Sequence, residues 1–192
     1  DETLVHCSTE PIEGADVQFP VNWNGVDYRV YAKKRPGLEQ FMEEVSRLFE
    51  VVVFTASQKV YANKLLDILD PSFSWFRHRL FRETCVYVEG NYLKDLSVLG
   101  REMSTTVIID NSPQAFGFQY NNGIPILSWY EDENDRELTT LLPFLRRLSQ
   151  SNDVRPLLRS RYKLYKRIEL QEVNDQSSSP GASDQPRAYL AL

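Results

Sequence analysis

Short apolar runs alternate with amphipathic stretches along most of the chain. Residues 51–54 and 107–109 are uninterrupted runs of β-branched and aromatic residues, a pattern typical of strands buried on both faces of a parallel sheet. Apolar residues recur at three- and four-residue spacing over 38–49 and 60–69, which predicts two amphipathic helices. Because helices alternate with buried strands, the pattern predicts an α/β fold with a parallel sheet.

A β-hairpin is predicted near the start of the chain. Asn24-Gly25 separates two apolar-rich runs, 17–21 and 26–31, and both residue types tolerate the positive φ that a two-residue hairpin turn requires. This hairpin is then an insertion into the parallel architecture. Shorter strands are predicted at four further places, namely 77–81, 85–88, 92–93 and 123–126.

Two more helices are predicted in the last third of the chain. Asn134 and Glu137 have the spacing of a capping box, and Pro143 inside the helix that follows predicts a lost hydrogen bond or a kink. A further helix is predicted from Val154. Its six basic residues form either a solvated face or a docking surface for an acidic partner: Arg155, Arg159, Arg161, Lys163, Lys166 and Arg167.

The totals are those of one ordinary globular domain. The 192 residues are 42% hydrophobic and 26% charged, and a chain of this length needs no disulfide staples. The net charge of −5 argues against a general nucleic-acid binder, and the unpaired Cys7 and Cys85 indicate a reducing compartment. The apolar runs are too short for a transmembrane helix. From Gln171 onward Ser, Pro, Gly, Asp and Gln predominate, which predicts a disordered tail.

Asp110 and Asn111 follow the second buried run directly. Ligands of open α/β sheets bind at the carboxyl ends of the strands, so these two side chains are expected at such a site. Their oxygen atoms suit Mg²⁺ better than zinc or copper. The alternative is an ordinary Asx turn after a strand.

Three other reactive side chains lie close to strand ends. Thr55 follows the first buried run, at a strand-to-helix junction that can hold an anion, and Lys94 offers a point charge for phosphate. Asp1 can act as an acid or base. Each has an ordinary alternative as a helix cap, a solvated lysine or a frayed terminus. Their joint order, acid, Thr, Lys and Asp-Asn, indicates chemistry on a phosphate monoester, for which only a nucleophile is missing.

Other chemistries have less support. His6 and His78 are the only histidines, too few for a multi-histidine zinc site and poor material for a Ser/His/Asp triad. No Walker-type or dinucleotide glycine pattern occurs in the sequence.

These motifs resemble the FCP1-like C-terminal-domain small phosphatases of the haloacid dehalogenase superfamily. Residues 1–6 are similar to the back half of the signature Asp-Leu-Asp-Glu-Thr-Leu-Val-His, and the resemblance runs from Asp1 to about Leu158. Residues 113–116 and 122–125 resemble the small-phosphatase-like protein 2 branch. Further matches lie at 35–36, 54–57, 79–83, 90–96, 109–113, 128–129 and 141–144.

The resemblance implies a role for each candidate residue. Asp1 matches the general acid/base, whose backbone carbonyl is also a metal ligand. Thr55 and Lys94 match phosphate-binding positions, Asp110 and Asn111 match the Mg²⁺ site, and Arg82 lies near the substrate groove.

The resemblance also implies an organisation and a setting. A Rossmann-like parallel sheet flanked by helices is expected over 1–158, followed by a basic helical extension over 159–170 and the disordered tail over 171–192. The expected partner is a phosphorylated protein or peptide, such as the tail of RNA polymerase II, with the hairpin helping to recognise it. No direct nucleic-acid or membrane binding is expected of this monomer, placed in the nucleus or cytoplasm.

The departure from the family pattern concerns the nucleophile. The nucleophilic aspartate of the signature would lie two positions before Asp1, so a protein consisting of this sequence alone could form no aspartyl-phosphate. The strand that carries it is also absent, which predicts a gap in the sheet. An incomplete sequence is the favoured explanation, and a catalytically inactive phosphopeptide-binding or scaffold module is the alternative.

Overall fold

The computed structural model describes residues 1–163 and 188–192, and the bounds below refer to these residues. The helices are α1 (Leu38–Leu48), α2 (Lys59–Leu69), α3 (Glu137–Ser149) and α4 (Arg155–Tyr162). The strands are β1 (Val5–Ser8), β2 (Val17–Trp23), β3 (Val26–Lys34), β4 (Phe49–Phe54), β5 (His78–Leu80), β6 (Val86–Val88), β7 (Asn91–Leu93), β8 (Thr106–Asp110), β9 (Gly123–Pro125) and β10 (Ala188–Ala191).

The main sheet has five strands in the order β5-β4-β10-β8-β9. Every neighbouring pair is parallel, so the predicted α/β class is confirmed. The two apolar runs that indicated buried strands form β4 and β8, and every residue of β8 is buried. With all strands parallel, their carboxyl ends lie along one edge of the sheet.

The central position of this sheet is taken by β10. Leu190 lies opposite Val51 of β4 and opposite Val107 of β8, and the backbone of Leu192 bonds to both Val52 and Phe54. The prediction of a disordered tail is therefore wrong for 188–191, and the expected gap in the sheet is filled. Four consecutive apolar residues that fit a two-sided slot outweigh the polar composition ahead of them. Residues 171–187 of the predicted tail lie outside the described residues.

The predicted hairpin forms a second, antiparallel sheet in the order β1-β3-β2. Asn24 and Gly25 have φ values of 52° and 79°, which confirms the turn expected from their side-chain types. A smaller antiparallel hairpin, β6–β7, turns through Glu89 and Gly90, both at positive φ.

The two faces of the main sheet are covered differently. Alternate residues of β8, such as Val107 and Ile109, join the large apolar cluster formed with α1, α2 and α3. Ile108 points the other way, into a small cluster with Leu96 and Phe116 from the 3₁₀-helical turns. Among the described residues no helix is both long and apolar enough to cross a membrane.

The last helices differ in detail from the prediction. The capping box is wrong, because no side chain caps α3 at its Arg136 N-cap, although Asp135 accepts the Glu137 backbone N–H at 3.1 Å. The helix continues through Pro143 to Ser149. The basic helix is present as α4, while 164–170 lie outside the described residues.

Truncating Leu190 tests whether β10 is part of the core. Leu190→Ala should lower the free energy of unfolding by ~2–5 kcal/mol, because it opens a cavity at a fully buried side chain. Val98→Ala, at a half-exposed position, should change it by less than ~0.5 kcal/mol. Urea unfolding of both variants is the measurement, and equal midpoints would contradict a docked β10.

Candidate active site

The candidate site lies at the carboxyl edge of the main sheet. Thr55 follows the last residue of β4, and Asp110 is the last residue of β8. Because β10 runs between these two strands, Thr55 and Asp110 flank the central strand where it ends. Both side chains are buried.

Asp1 reaches this edge from outside the sheet, held by the segment that follows it. The fully buried guanidinium of Arg35 donates to the Thr3 carbonyl at 3.1 Å, and the Arg35 backbone N–H donates to the Leu4 carbonyl at 3.0 Å. Trp129 donates its backbone N–H to the Glu2 carbonyl at 2.8 Å. The segment therefore has a fixed position although it forms no strand of the main sheet.

Arg35 is itself held by Asp135. The guanidinium and carboxylate form a two-point contact, with Nε to Oδ1 at 2.8 Å and Nη2 to Oδ2 at 2.7 Å. This hydrogen bonding from Arg35 holds the pKa of Asp135 below its ordinary value of 3.8. The paired geometry matches the planar fork of arginine.

The Asp1 carboxylate faces three hydroxyl groups. Tyr61 donates to Oδ1 at 2.5 Å, Thr55 lies 3.3 Å from Oδ2, and the Ser57 hydroxyl also contacts Oδ2. Thr55 in turn accepts the Ser57 backbone N–H at 3.0 Å. Sequence reasoning missed Ser57 and Tyr61 as site residues. The only signal was their spacing, since positions two and six residues after Thr55 fall in the turn and in the first turn of α2.

Burial raises the pKa of Tyr61 to about 12 and that of Cys7 to about 11. The Tyr61 hydroxyl therefore stays protonated and donates to Asp1 throughout the physiological pH range. Burial also raises the pKa of Cys85, whose sulfur lies 3.8 Å from the Thr55 carbonyl. A thiolate is the reactive form of cysteine, so neither thiol is arranged as a nucleophile.

Lys94 and Asp110 form a buried ion pair. The ammonium lies 2.5 Å from Oδ2 of Asp110, and Oδ1 accepts the Ser112 backbone N–H at 2.8 Å. Lys94 follows β7, which brings it to the sheet edge from outside the main sheet. One positive charge is thus placed beside Asp110 and against the same small cavity that Asp1, Thr3 and Thr55 line.

Asn111 completes the polar edge. Its side-chain oxygen lies 3.4 Å from the Thr3 hydroxyl, and its amide donates to Ser128 at 3.0 Å. Asp1, Asp110 and Asn111 supply carboxylate and amide oxygens, which is the donor chemistry Mg²⁺ prefers. Within 1–163 and 188–192 no group of three or more His, Cys, Asp or Glu residues is arranged to hold a metal, so any site here relies on the amide as well.

Arg82 lies beside this group without contacting Asp1. Its Nε donates to the Ala56 carbonyl at 2.5 Å, and the side chain lines a cavity of about 350 Å³ with Trp23, Tyr28 and Tyr61. We call it the hairpin cavity, since it is bounded by the β2–β3 hairpin and the start of α2. It opens next to Asp1, because Tyr61 both lines the cavity and donates to the Asp1 carboxylate. All six predicted site residues are therefore close to one edge of the sheet.

A second cavity of similar size lies away from this chemistry. It measures about 360 Å³, and its lining includes Glu50, His78, Arg101 and Tyr189. Glu50 accepts from Arg101 at 3.2 Å and lies 3.2 Å from His78. None of the six predicted site residues lines this cavity, so it is not the candidate site.

The sequence profile of the family described as NLI interacting factor-like phosphatase matches residues 1–155. The chain belongs to this family. It is 61% identical over 168 residues to CTD small phosphatase-like protein 2 of Dictyostelium discoideum, covering 88% of this chain and 30% of that relative. It is 50% identical over 182 residues to CTD small phosphatase-like protein 3 of Caenorhabditis elegans, covering 94% and 63%. The predicted family is confirmed, and a member of the predicted branch is among its relatives.

A human relative is also similar. The chain is 47% identical over 159 residues to the human carboxy-terminal domain RNA polymerase II polypeptide A small phosphatase 1, covering 83% of this chain and 60% of that protein. It spans between 30% and 63% of the length of these three relatives.

Solved structures of the RNA polymerase II CTD phosphatase Fcp1 share the fold. The fission yeast protein bound to beryllium fluoride has a TM-score of 0.59 at 20% identity, covering 93% of this chain and 57% of that one. A second Fcp1 structure gives 0.59 at 21% identity, covering 92% and 53%. The chain thus shares the fold of these Fcp1 structures, with the parallel α/β sheet that was predicted.

Replacing Asp135 tests the anchor of the Asp1 segment. Asp135→Asn should lower the free energy of unfolding by ~3–5 kcal/mol, because it leaves a buried guanidinium without its counter-charge. Since the pKa of Asp135 is lowered by folding, its contribution is present above pH 3.8 and is lost as the pH falls through the lowered value. The difference in the free energy of unfolding between the parent and Asp135→Asn should therefore become smaller in acid.

The matched control is Glu133→Gln. Glu133 forms an ion pair with Lys33 at 3.5 Å, but its side chain is 82% exposed, so its removal should cost less than ~0.5 kcal/mol at any pH. Thermal unfolding from pH 3 to 7 measures both variants. Equal losses of stability in the two variants would show that the buried position of Arg35 does not depend on Asp135.

Proposed function

We propose that this chain is the catalytic domain of a Mg²⁺-dependent protein serine/threonine phosphatase that acts through an aspartyl-phosphate. The observation that carries the proposal is the shared cavity of Asp1, Thr55 and Lys94, with Lys94 paired to Asp110. A carboxylate, a hydroxyl and an ammonium at one strand edge are the groups that transfer of a phosphoryl group requires.

Asp1 is the general acid and base of this proposal. It gives a proton to the serine oxygen as the phosphorus–oxygen bond of the substrate breaks, and it later takes a proton from the water that attacks the aspartyl-phosphate. Tyr61 and Ser57 hold the carboxylate in one orientation through their contacts with its two oxygens. Orientation of this kind lowers the entropy that the reaction must lose.

Lys94 and Thr55 hold the phosphate. The ammonium offsets the charge of the transferring group, and the Thr55 hydroxyl offers a donor from the other side of the central strand. Asp110, Asn111 and the Asp1 segment would hold Mg²⁺, whose chemistry is to neutralise charge on the phosphoryl oxygens. Asp110 keeps lone pairs for this purpose, because among the described residues Oδ2 accepts only from Lys94 and Oδ1 only from the Ser112 backbone N–H.

The nucleophile is an aspartate two positions ahead of Asp1 in the family signature. Such a residue would precede the Asp1 segment at the sheet edge between Thr55 and Asp110. β10 ends beside this space, because Ala191 lies opposite Val52 and Ile108. The space is flanked by Thr55, which follows β4, and by Asp110, the last residue of β8.

A second candidate is a phosphopeptide-binding module without turnover. It is favoured by the side chains of the central strand, which is Ala-Tyr-Leu-Ala in the described part of the chain and carries no carboxylate. The phosphate-holding groups do not depend on a nucleophile, so binding would remain. Release of phosphate from a bound peptide separates the two candidates.

The proposed substrate is a phosphoserine segment of a protein, such as the repeated tail of RNA polymerase II, and the proposed location is the nucleus or the cytoplasm. The hairpin cavity beside Asp1 supports a peptide substrate, because its walls include the apolar Val21 and Val30 as well as Trp23. One residue next to the phosphoserine would bury its side chain there.

Turnover of a phosphoserine peptide tests the proposal. The chain, produced with an added Asp-Leu pair ahead of Asp1, should release phosphate when Mg²⁺ is present. Asp1→Asn should lower kcat by about 10²–10⁴-fold, because proton transfer is lost. Glu43→Gln, on the exposed side of α1, is the control and should leave the rate unchanged. Undiminished turnover after Asp110→Ala, or none in the parent, would reject an enzyme of this kind.

A further inference from the structure

Exposed apolar side chains lie on both faces of the β6–β7 hairpin. Tyr87 is 63% exposed, and Val86 and Val88 are each more than 40% exposed. Large apolar side chains clustered at the surface mark binding sites more often than scattered ones do. Nothing in the proposed chemistry uses them.

One face of this hairpin is directed at the site. Tyr87 and Tyr92 are paired across the two strands, so they lie on the same face, with ring centroids 4.9 Å apart. The Arg82 guanidinium lies 5.0 Å from the Tyr92 ring centroid. A continuous row therefore runs from Tyr87 through Tyr92 to Arg82, which also lines the hairpin cavity.

The hairpin is also tied to the phosphate-holding residue. β7 ends at Leu93, and the next residue is Lys94, which contacts Asp110 at 2.5 Å. The Lys94 backbone N–H is fixed by the Ala115 carbonyl at 2.6 Å. The aromatic row thus has a set position relative to Lys94, whereas the hairpin cavity adjoins Asp1 through Tyr61.

We propose that Tyr87 and Tyr92 form a second recognition surface for the substrate peptide. It binds the segment on the opposite side of the phosphoserine from the segment held in the hairpin cavity, and it takes a flat apolar side chain such as a proline or aromatic ring. Two tyrosine faces, one of them backed by a guanidinium, favour stacking of such rings. This inference rests on the proposed phosphopeptide substrate and adds a determinant of its specificity.

The test measures phosphopeptide binding by the chain itself, which requires no nucleophile. A fluorescent phosphoserine peptide with a proline or aromatic residue on both sides is titrated and followed by anisotropy, alongside two peptides truncated on one side or the other. Tyr87→Ala should weaken binding of the full peptide about fivefold. For one of the truncated peptides, Tyr87→Ala should bind as tightly as the parent.

Tyr28→Ala, in the hairpin cavity, is the counterpart. For the other truncated peptide, Tyr28→Ala should bind as tightly as the parent. Each variant should therefore lose its effect on affinity with a different truncated peptide. Phe73→Ala is the matched control, because Phe73 is 66% exposed and also has an arginine guanidinium near its ring, at 5.3 Å. Phe73 precedes β5, at the amino edge of the sheet, and its removal should leave all affinities unchanged.

The outcomes separate the two proposals. If the parent binds none of the phosphopeptides, the proposed substrate class fails. If the parent binds them but Tyr87→Ala behaves like Phe73→Ala, the second recognition surface is rejected. It is also rejected if Tyr87→Ala and Tyr28→Ala both bind the same truncated peptide as tightly as the parent does.

Discussion

The candidate site depends on the ion pair and the hydrogen bonds that the buried guanidinium of Arg35 forms. A charge that is removed from water must be fully paired, and Arg35 satisfies this with the Asp135 carboxylate and the Thr3 carbonyl. The same contacts join the start of α3 to the segment that carries Asp1. The acid/base candidate is thus positioned by an ion pair in the core and not by the strand order of the main sheet.

The parallel sheet supplies the rest of the geometry. Its strands end at one edge, and Thr55 and Asp110 lie there because each follows a buried apolar run. Lys94 arrives from a separate hairpin and pairs with Asp110 inside the structure. Asp1, Thr55 and Lys94, which are distant in sequence, therefore meet at one small cavity, where low exposure to water strengthens their electrostatic interactions.

Local patterns were sufficient to predict most of the elements. Asn24-Gly25 identified its hairpin because positive φ is a property of those residue types, and buried strands were evident from continuous apolar runs. Long-range pairing was not predictable in this way. Asp135 gave no sign that it pairs with an arginine one hundred residues earlier. Ala188–Ala191 gave no sign of a central strand, because it follows a long polar stretch and two of its four residues are alanine, which is uncommon in strands. Tyr61 was part of the apolar pattern that predicted α2. Its role in the site was not predictable, because its hydroxyl contacts Asp1 only through the tertiary fold.

The most direct measurement of the central claim is a map of where a phosphoserine peptide binds. Backbone amide shifts of the ¹⁵N-labelled chain, recorded during titration with the peptide and Mg²⁺, report this residue by residue. The account predicts the largest shifts at 55–57, at Lys94 and at 110–112, with none at Glu50 or His78. Shifts concentrated at Glu50 and His78, with the carboxyl edge of the sheet unchanged, would contradict it.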